Sequence, residues 1–234
     1  MRLAFPTLLF TAVALLLGAA GVNATPQHAL TVYGEPAKYP AGFSHFDYTN
    51  PRAPKGGNMR RSAIEIGHFD HILPYIDKGI GVTQIDGMLY SPLAQRSMDE
   101  PYTVYGLVAQ KMEHSEDGLS LRFFIDPKAR FADGKPITAE DVRYTYDLLM
   151  TQGSLRYRTQ FADVKGVEVE APLTVRFDFK SNENRTLPLD IATLPVFPEH
   201  WWKTRDFAGG GGYEPPLGSG PYRVGKVDSG RSIT

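Results

Sequence analysis

An α/β fold is what the sequence predicts, and three stretches predict it. Leu121, Phe123 and Ile125 alternate with Arg122 and Phe124, the two-residue period of a β-strand. Thr138, with the acid Asp141 three residues on and Val142, Tyr146, Leu149 and Met150 at helical spacing, marks a capped amphipathic helix that Gly153 ends. Residues 164–169 and 174–179 read as two strands around Glu170-Ala171-Pro172-Leu173. Val175, Phe177 and Phe179 lie on one face, and Arg176 and Asp178 on the other.

The remaining elements follow in chain order. Arg2 opens an apolar run over 3–17, and Val22-Asn23-Ala24 has the small-x-small form of a signal-peptidase site, so cleavage is expected after Ala24. The run is shorter than the roughly 20 residues a spanning helix needs. Residues 25–58 carry Pro26, Pro36, Pro40, Pro51 and Pro54, which disfavour a long helix or a central strand. They also carry Tyr33, Tyr39, Phe43, Phe46 and Tyr48, more aromatics than a disordered segment holds, so an ordered arm packed over a domain surface is expected.

Residues 59–66 alternate loosely between Gly57 and Gly67 and suggest a strand. A loop over 72–76 and a helix over 82–89 follow. Asp133-Gly134 is a turn signal, Gly209 to Gly212 reads as a flexible linker, and Tyr222-Arg223-Val224 reads as the start of another strand. There is no internal repeat.

Composition narrows the class. There is no cysteine, so no disulfide staples the fold and no lipid anchor can be attached at a processing site. The formal net charge of -1 lacks the basic excess of a nucleic-acid binder.

No catalytic set assembles from the residues. His68 and His71 flank Asp70, but no cysteine or further histidine pair completes three or four metal ligands, and a solvated loop is the simpler reading. Ser219 sits in Gly218-Ser219-Gly220-Pro221, which lacks the spacing of a nucleophile elbow and reads as a tight turn. Asp99 and Glu100 precede Pro101 and read as solvated charge in a polar loop. Glu140 and Asp141 are accounted for by the helix start. Gly209 to Gly212 is followed by Tyr213-Glu214-Pro215-Pro216 and is no phosphate cradle. Trp201 and Trp202 read as core, with stacking on a ligand as the alternative.

A longer comparison gives a positive reading. Residues 121–142 contain Lys128-Ala129-Arg130-Phe131-Ala132-Asp133-Gly134-Lys135-Pro136 followed by Thr138-Ala139-Glu140-Asp141-Val142. Residues 216–224 contain Gly220-Pro221-Tyr222. Together these stretches resemble the family 5 extracellular solute-binding proteins, the receptors of peptide and nickel ABC importers. The arm, through Tyr39-Pro40-Ala41-Gly42-Phe43, Phe46-Asp47-Tyr48 and residues 50–57, resembles the oligopeptide and microcin C branch, as do Asp99-Glu100-Pro101-Tyr102 and Tyr105-Gly106-Leu107.

The resemblance implies a type II periplasmic-binding-protein fold, mixed sheets with helices, in which only the N-terminal part is present and the second lobe is absent. The expected organisation is a signal peptide at 1–24, the arm at 25–58, a first-lobe strand and helix at 59–89, and a first-lobe subdomain at 90–208. A glycine-rich linker and truncated return strand follow at 209–234. The resemblance further implies a periplasmic, monomeric receptor without enzymatic activity or cofactor. Its partners would be an oligopeptide or peptide-like ligand and an inner-membrane ABC permease, with no nucleic acid. In relatives a strand after the arm pairs with the extended ligand, by strand addition. Here that places ligand on Glu65, Ile66, Gly67 and His68, with Glu65 also meeting a positive group or else remaining an exposed strand acid. A nickel- or haem-type receptor is the alternative within the family, and a secreted hydrolase the alternative outside it.

Overall fold

The computed structural model describes residues 24–61 and 67–234. The strands in chain order are β1 (Ala29–Thr31), β2 (Ala94–Arg96), β3 (Thr103–Gly106), β4 (Ala109–His114), β5 (Ser120–Ile125), β6 (Val164–Ala171), β7 (Thr174–Phe179), β8 (Val227–Asp228) and β9 (Ser232–Ile233). The helices are α1 (Ala139–Gln152), α2 (Leu155–Gln160), α3 (Leu187–Ala192) and α4 (Glu199–Trp202). The expected leader, Ala24 apart, lies outside the described residues. No helix among the described residues is long and apolar enough to cross a membrane.

The alternation over 120–125 becomes β5, the second strand of an antiparallel sheet of order β4-β5-β7-β6. Its even burial pattern arises because Leu121, Phe123 and Ile125 point into the core while Ser120, Arg122 and Phe124 stay partly exposed. Phe123 sits opposite Val175 and packs edge-on against Phe177 at 5.9 Å between ring centroids. Burying each of these rings contributes about 2–3 kcal/mol. On the open face Arg122 and Arg176 are direct cross-strand neighbours, a like-charge pairing that would destabilise the sheet alone. Glu170 bridges both guanidiniums, at 2.6 Å to Arg122 Nε and 2.8 Å to Arg176 Nη1, with Glu113, Glu168 and Asp178 completing the network.

Helix α1 lies against this sheet and starts as the sequence predicts. The Thr138 side chain takes the Asp141 N–H while Asp141 takes the Thr138 N–H, a reciprocal cap that satisfies two donors at once. Val142 and Leu149 are fully buried, whereas Tyr146 and Met150 are half-buried at the edge of the stripe.

A second sheet, of order β1-β3-β2, carries the arm. The arm's prolines do not exclude a strand at its very start, since β1 is an edge strand. Beyond it Tyr39, Phe43 and Phe46 close around Tyr105 at centroid distances of 5.1–5.5 Å. This aromatic nest seats the arm on β3, as expected of an ordered arm.

Asp99 and Glu100 also belong to this seat and are not merely solvated loop charges. Asp99 accepts from Tyr39 Oη and Lys38 Nζ, both at 2.6 Å, and from Ser97 Oγ at 2.7 Å. Glu100 accepts from the Lys38 N–H at 2.9 Å and from Tyr105 Oη at 2.7 Å. Burial pushes the Tyr105 hydroxyl up to about 12. The Lys38 ammonium, then Tyr39 and Ser97, hold the Asp99 carboxyl well below the usual carboxylate range, and Asp99 in turn raises Lys38. A depressed carboxyl stabilises the fold above its ordinary value, about 3.9, and loses that contribution as pH falls toward the lowered one. A raised lysine contributes below its ordinary value, about 10.4, and loses it as pH rises through the raised one. The arm seat is therefore expected to persist from below pH 3.9 to above pH 10.4. Following the Tyr39 amide resonance against pH tests this, with Asp99→Asn expected to loosen the arm and speed tryptic cleavage after Lys38 at neutral pH. An acid midpoint near the ordinary carboxylate value would contradict the arrangement.

Three elements differ from expectation. Residues 82–89 hold only a 3-10 turn at Thr83–Ile85, not a helix. Its local bonds are turn bonds, Asp86 N–H to Thr83 O and Met88 N–H to Ile85 O, and the carbonyls at its end, which a helix would leave unpaired, are met from outside: Leu89 O accepts from the Ser219 and Gly220 N–H groups, and Met88 O from Tyr222. That approach requires glycine, because a side chain at Gly218 or Gly220 would overlap Leu89 O or Met88 O. Tyr222-Arg223-Val224 is consequently an extended segment outside any sheet, and the last hairpin forms later, between β8 and β9. Of the strand expected over 59–66, Met59, Arg60 and Arg61 are exposed coil and the rest lies outside the described residues.

Candidate functional site

Two of the four expected ligand-facing residues, Glu65 and Ile66, lie outside the described residues. Gly67 and His68 are exposed, and Gly67 takes a positive φ of 73°. Immediately after them the chain dives inward. Phe69 is buried, its carbonyl accepts from Tyr213 Oη at 3.1 Å, and its ring meets Tyr213 edge-on at 5.9 Å. Asp70 N–H donates to Ile80 O at 2.8 Å, and Asp70 Oδ2 accepts from the Ile80 N–H at 2.8 Å. Ile72 N–H reaches Gly212 O at 3.4 Å.

His71 is the centre of this seat. It is 3% exposed, so it is not the solvated loop histidine that its neighbours in sequence suggest. Its Nε2 lies 2.7 Å from Lys78 O, an acceptor only, so Nε2 is the donor there. Nδ1 is buried and has no hydrogen-bond partner among the described residues. Against its ring lies Gly210. The four-glycine run is thus folded as a packed turn: Gly210, Gly211 and Gly212 all have positive φ, and Gly210 and Gly211 donate to Phe207 O and Asp206 O, each at 2.9 Å. Composition alone made this run look like a linker. Its position against a buried histidine is a tertiary fact that no local pattern carried.

The other candidate residues are drawn into structure. Ser219 Oγ accepts from the Ser91 N–H at 3.0 Å, while Ser91 Oγ donates to Ser219 O at 3.0 Å. The tight turn expected there is not formed: Ser219 lies in irregular chain, and the backbone only bends at Gly220 and Pro221. His200 Nε2 lies 2.9 Å from Asp133 Oδ2 and ties the Asp133-Gly134 turn to α4. Trp202 is core, with Nε1 donating to Tyr90 Oη at 3.2 Å, and Trp201 is covered by the Arg205 guanidinium at 3.9 Å. Trp202 is therefore core, whereas Trp201 remains half-buried. Among the described residues no group of three His, Cys, Asp or Glu side chains could hold a metal ion.

With this geometry in hand, similarity to known proteins becomes informative. Residues 103–234 match the bacterial extracellular solute-binding proteins, family 5 middle region. The Brucella melitensis protein BMEII0691 is 37% identical over 235 residues, covering 97% of this chain and 38% of that protein. The peptidoglycan-binding protein YepA of Agrobacterium fabrum is 35% identical, covering 93% of this chain and 36% of its own length. YejA of Escherichia coli is 40% identical over 88% of this chain and 33% of itself. The chain therefore spans under two fifths of the length of these relatives.

Among solved structures, the oligopeptide-binding protein AppA of Bacillus subtilis, in complex with a nonapeptide, superposes with a TM-score of 0.58 at 25% identity. The match covers 72% of this chain and 34% of AppA. NikZ of Campylobacter jejuni, in complex with Ni(L-His), gives 0.57 at 20% identity over 70% of this chain and 32% of NikZ, which bears on the fold alone. The matched family is one of solute-binding proteins, not of enzymes. A periplasmic-binding-protein α/β fold, shared with these structures, and a match spanning both sheets' strands from β3 onward lead to one assignment: the chain belongs to the bacterial extracellular solute-binding proteins, family 5.

Proposed function

We propose that the chain forms the N-terminal part of the periplasmic receptor of an ABC importer for oligopeptides or peptide-like compounds. The observation that carries this reading is the likeness to AppA, whose structure holds a nonapeptide. The 35% identity to a peptidoglycan-binding protein, YepA, extends the ligand class to peptide-bearing cell-wall fragments. On this reading residues 65–68 offer their backbone to an extended ligand, which gains affinity independent of sequence. The anchoring of Phe69 to Ile72 supports it, because an edge that adds a strand must itself be held still. Glu65 would meet the ligand's ammonium. Ligand release would pass the peptide to an inner-membrane permease.

The test is direct. Protein recovered from the periplasm, with a mature N-terminus at Thr25, is expected to release peptide-containing masses on denaturation. Calorimetry with trialanine on the intact receptor should show Glu65→Ala weakening binding by about ten-fold, or about 1.4 kcal/mol. Recovery of nickel or haem and no peptide would overturn the reading in favour of the metal-type receptor. Unchanged trialanine affinity in Glu65→Ala would remove Glu65 from the site.

A further inference from the structure

A cavity of about 370 Å³ opens between the segment Tyr75–Arg96, α2 and the end of α3, and neither Gly67 nor His68 lines it. Nothing in the proposed peptide site uses it. Its volume lies within the range of small-molecule pockets. Its apolar lining is core-like: Tyr75, Ala94, Phe161 and Leu194 are each no more than 2% exposed.

Four charged side chains line it as well: Asp86, Arg96, Arg156 and Asp190. Each has one side-chain hydrogen bond to a described partner. Asp86 Oδ1 accepts from Tyr75 Oη at 2.8 Å, and Arg156 Nη2 donates to Tyr157 Oη at 2.7 Å. Arg96 Nη2 meets Asp190 Oδ1 at 3.2 Å. A guanidinium has five donors and a carboxylate about four acceptor sites, so most of this capacity is unspent on the protein. Arg96 and Asp190 face each other through one atom apiece, where a pair built for its own stability would use the two-bond fork. Their side chains remain 41% and 26% exposed, a setting in which an ion pair contributes little.

The signs of the four groups select the ligand. A simple anion entering the cavity would meet two carboxylates, and a simple cation two guanidiniums. A molecule carrying one charge of each sign satisfies both kinds, and its uncharged part can cover the aromatic and aliphatic floor. We infer that this cavity is a second binding site, for a free apolar amino acid or a dipeptide with both termini unblocked. The carboxylate would be taken by Arg156 and the ammonium by Asp190, with Arg96 and Asp86 beside them.

Amide chemical shifts of the full 234-residue chain, titrated with L-leucine and separately with N-acetyl-L-leucinamide, test the inference. L-leucine is expected to give saturable shifts at Ala94, Gln95, Arg96, Gln160, Phe161 and Thr193, and the blocked compound none. Arg156→Ala and Asp190→Asn should each weaken the response by about ten-fold. If Asp190→Asn disturbs α3, the exposed Arg156 decides alone. Three results would overturn the site: no saturable shift at these residues up to the solubility limit, an equal response to the blocked compound, or full binding by Arg156→Ala. Because none of the read-out residues belongs to 65–72, failure here is distinguishable from failure of the peptide reading.

Discussion

Replacing Gly210 by valine is expected to cost about 2–5 kcal/mol of folding stability, about a third of the roughly 5–15 kcal/mol margin of a marginally stable fold. Two terms add. Gly210 has φ of 84°, a backbone state that costs a side-chain-bearing residue about 1–2 kcal/mol and a β-branched one more. A Cβ there would also stand 2.5 Å from His71 Cγ, 2.7 Å from Cδ2 and 2.9 Å from Cβ. The ring has nowhere to go. Its Nε2 is held at 2.7 Å by Lys78 O, and Gly79 and Gly81 close on its other atoms at 3.0–3.2 Å from where their own Cβ atoms would be. Overpacking of this kind costs about 1–3 kcal/mol. Urea unfolding monitored by circular dichroism measures the loss. Adding His71→Ala should return the overpacking part and leave the backbone part, so the two substitutions will not be additive. A Gly210→Val protein within about 0.5 kcal/mol of the parent would show that the turn is not packed on His71.

Removing the Asp141 carboxylate is expected to cost about 2–4 kcal/mol. Asp141 is 6% exposed and serves three donors: Oδ2 accepts from the Thr138 N–H at 2.9 Å and Thr138 Oγ1 at 2.7 Å, and Oδ1 accepts from the Glu199 N–H at 3.0 Å. It therefore both caps α1 and fastens the start of α4 to it. The neighbouring Thr145 repeats the link, donating to Asp141 O at 2.7 Å and accepting from the Phe197 N–H at 2.8 Å. Asp141→Ala strands these donors. Asp141→Asn keeps an acceptor toward one side and should cost less, about 1 kcal/mol, typical of a weakened cap. Comparing both variants by urea unfolding separates loss of the cap from loss of the link. Equal stability of Asp141→Ala and the parent would mean that neither bond is made.

The elements that were legible in the sequence share one property, that their cause is local. β5, the β6–β7 hairpin and the capped start of α1 follow from alternation, a turn and a box within a few residues. The family motif over 121–142 was legible for the same reason, being an unbroken run of such local features. The candidate site was less so. Gly67 and His68 emerge exposed, next to a firm anchor, but the anchor's residues were misread, His71 as solvated and Gly209 to Gly212 as a linker; in the arm seat, Asp99 with Glu100 was misread as loose charge.

Each misreading concerned a residue whose partner is distant in the chain. His71 meets Gly210, Asp99 meets Lys38 and Tyr39, and Leu89 O meets the Ser219 and Gly220 N–H groups. A hydrogen bond or a van der Waals contact acts only at about 3–4 Å, and which distant groups come that close is decided by the packing of the whole core. By itself, then, the sequence determined the α/β class, the capped helix and the family resemblance. The tertiary structure alone decided that the glycine run is a packed turn, that residues 82–89 are not a helix, and that four half-satisfied charges surround one cavity.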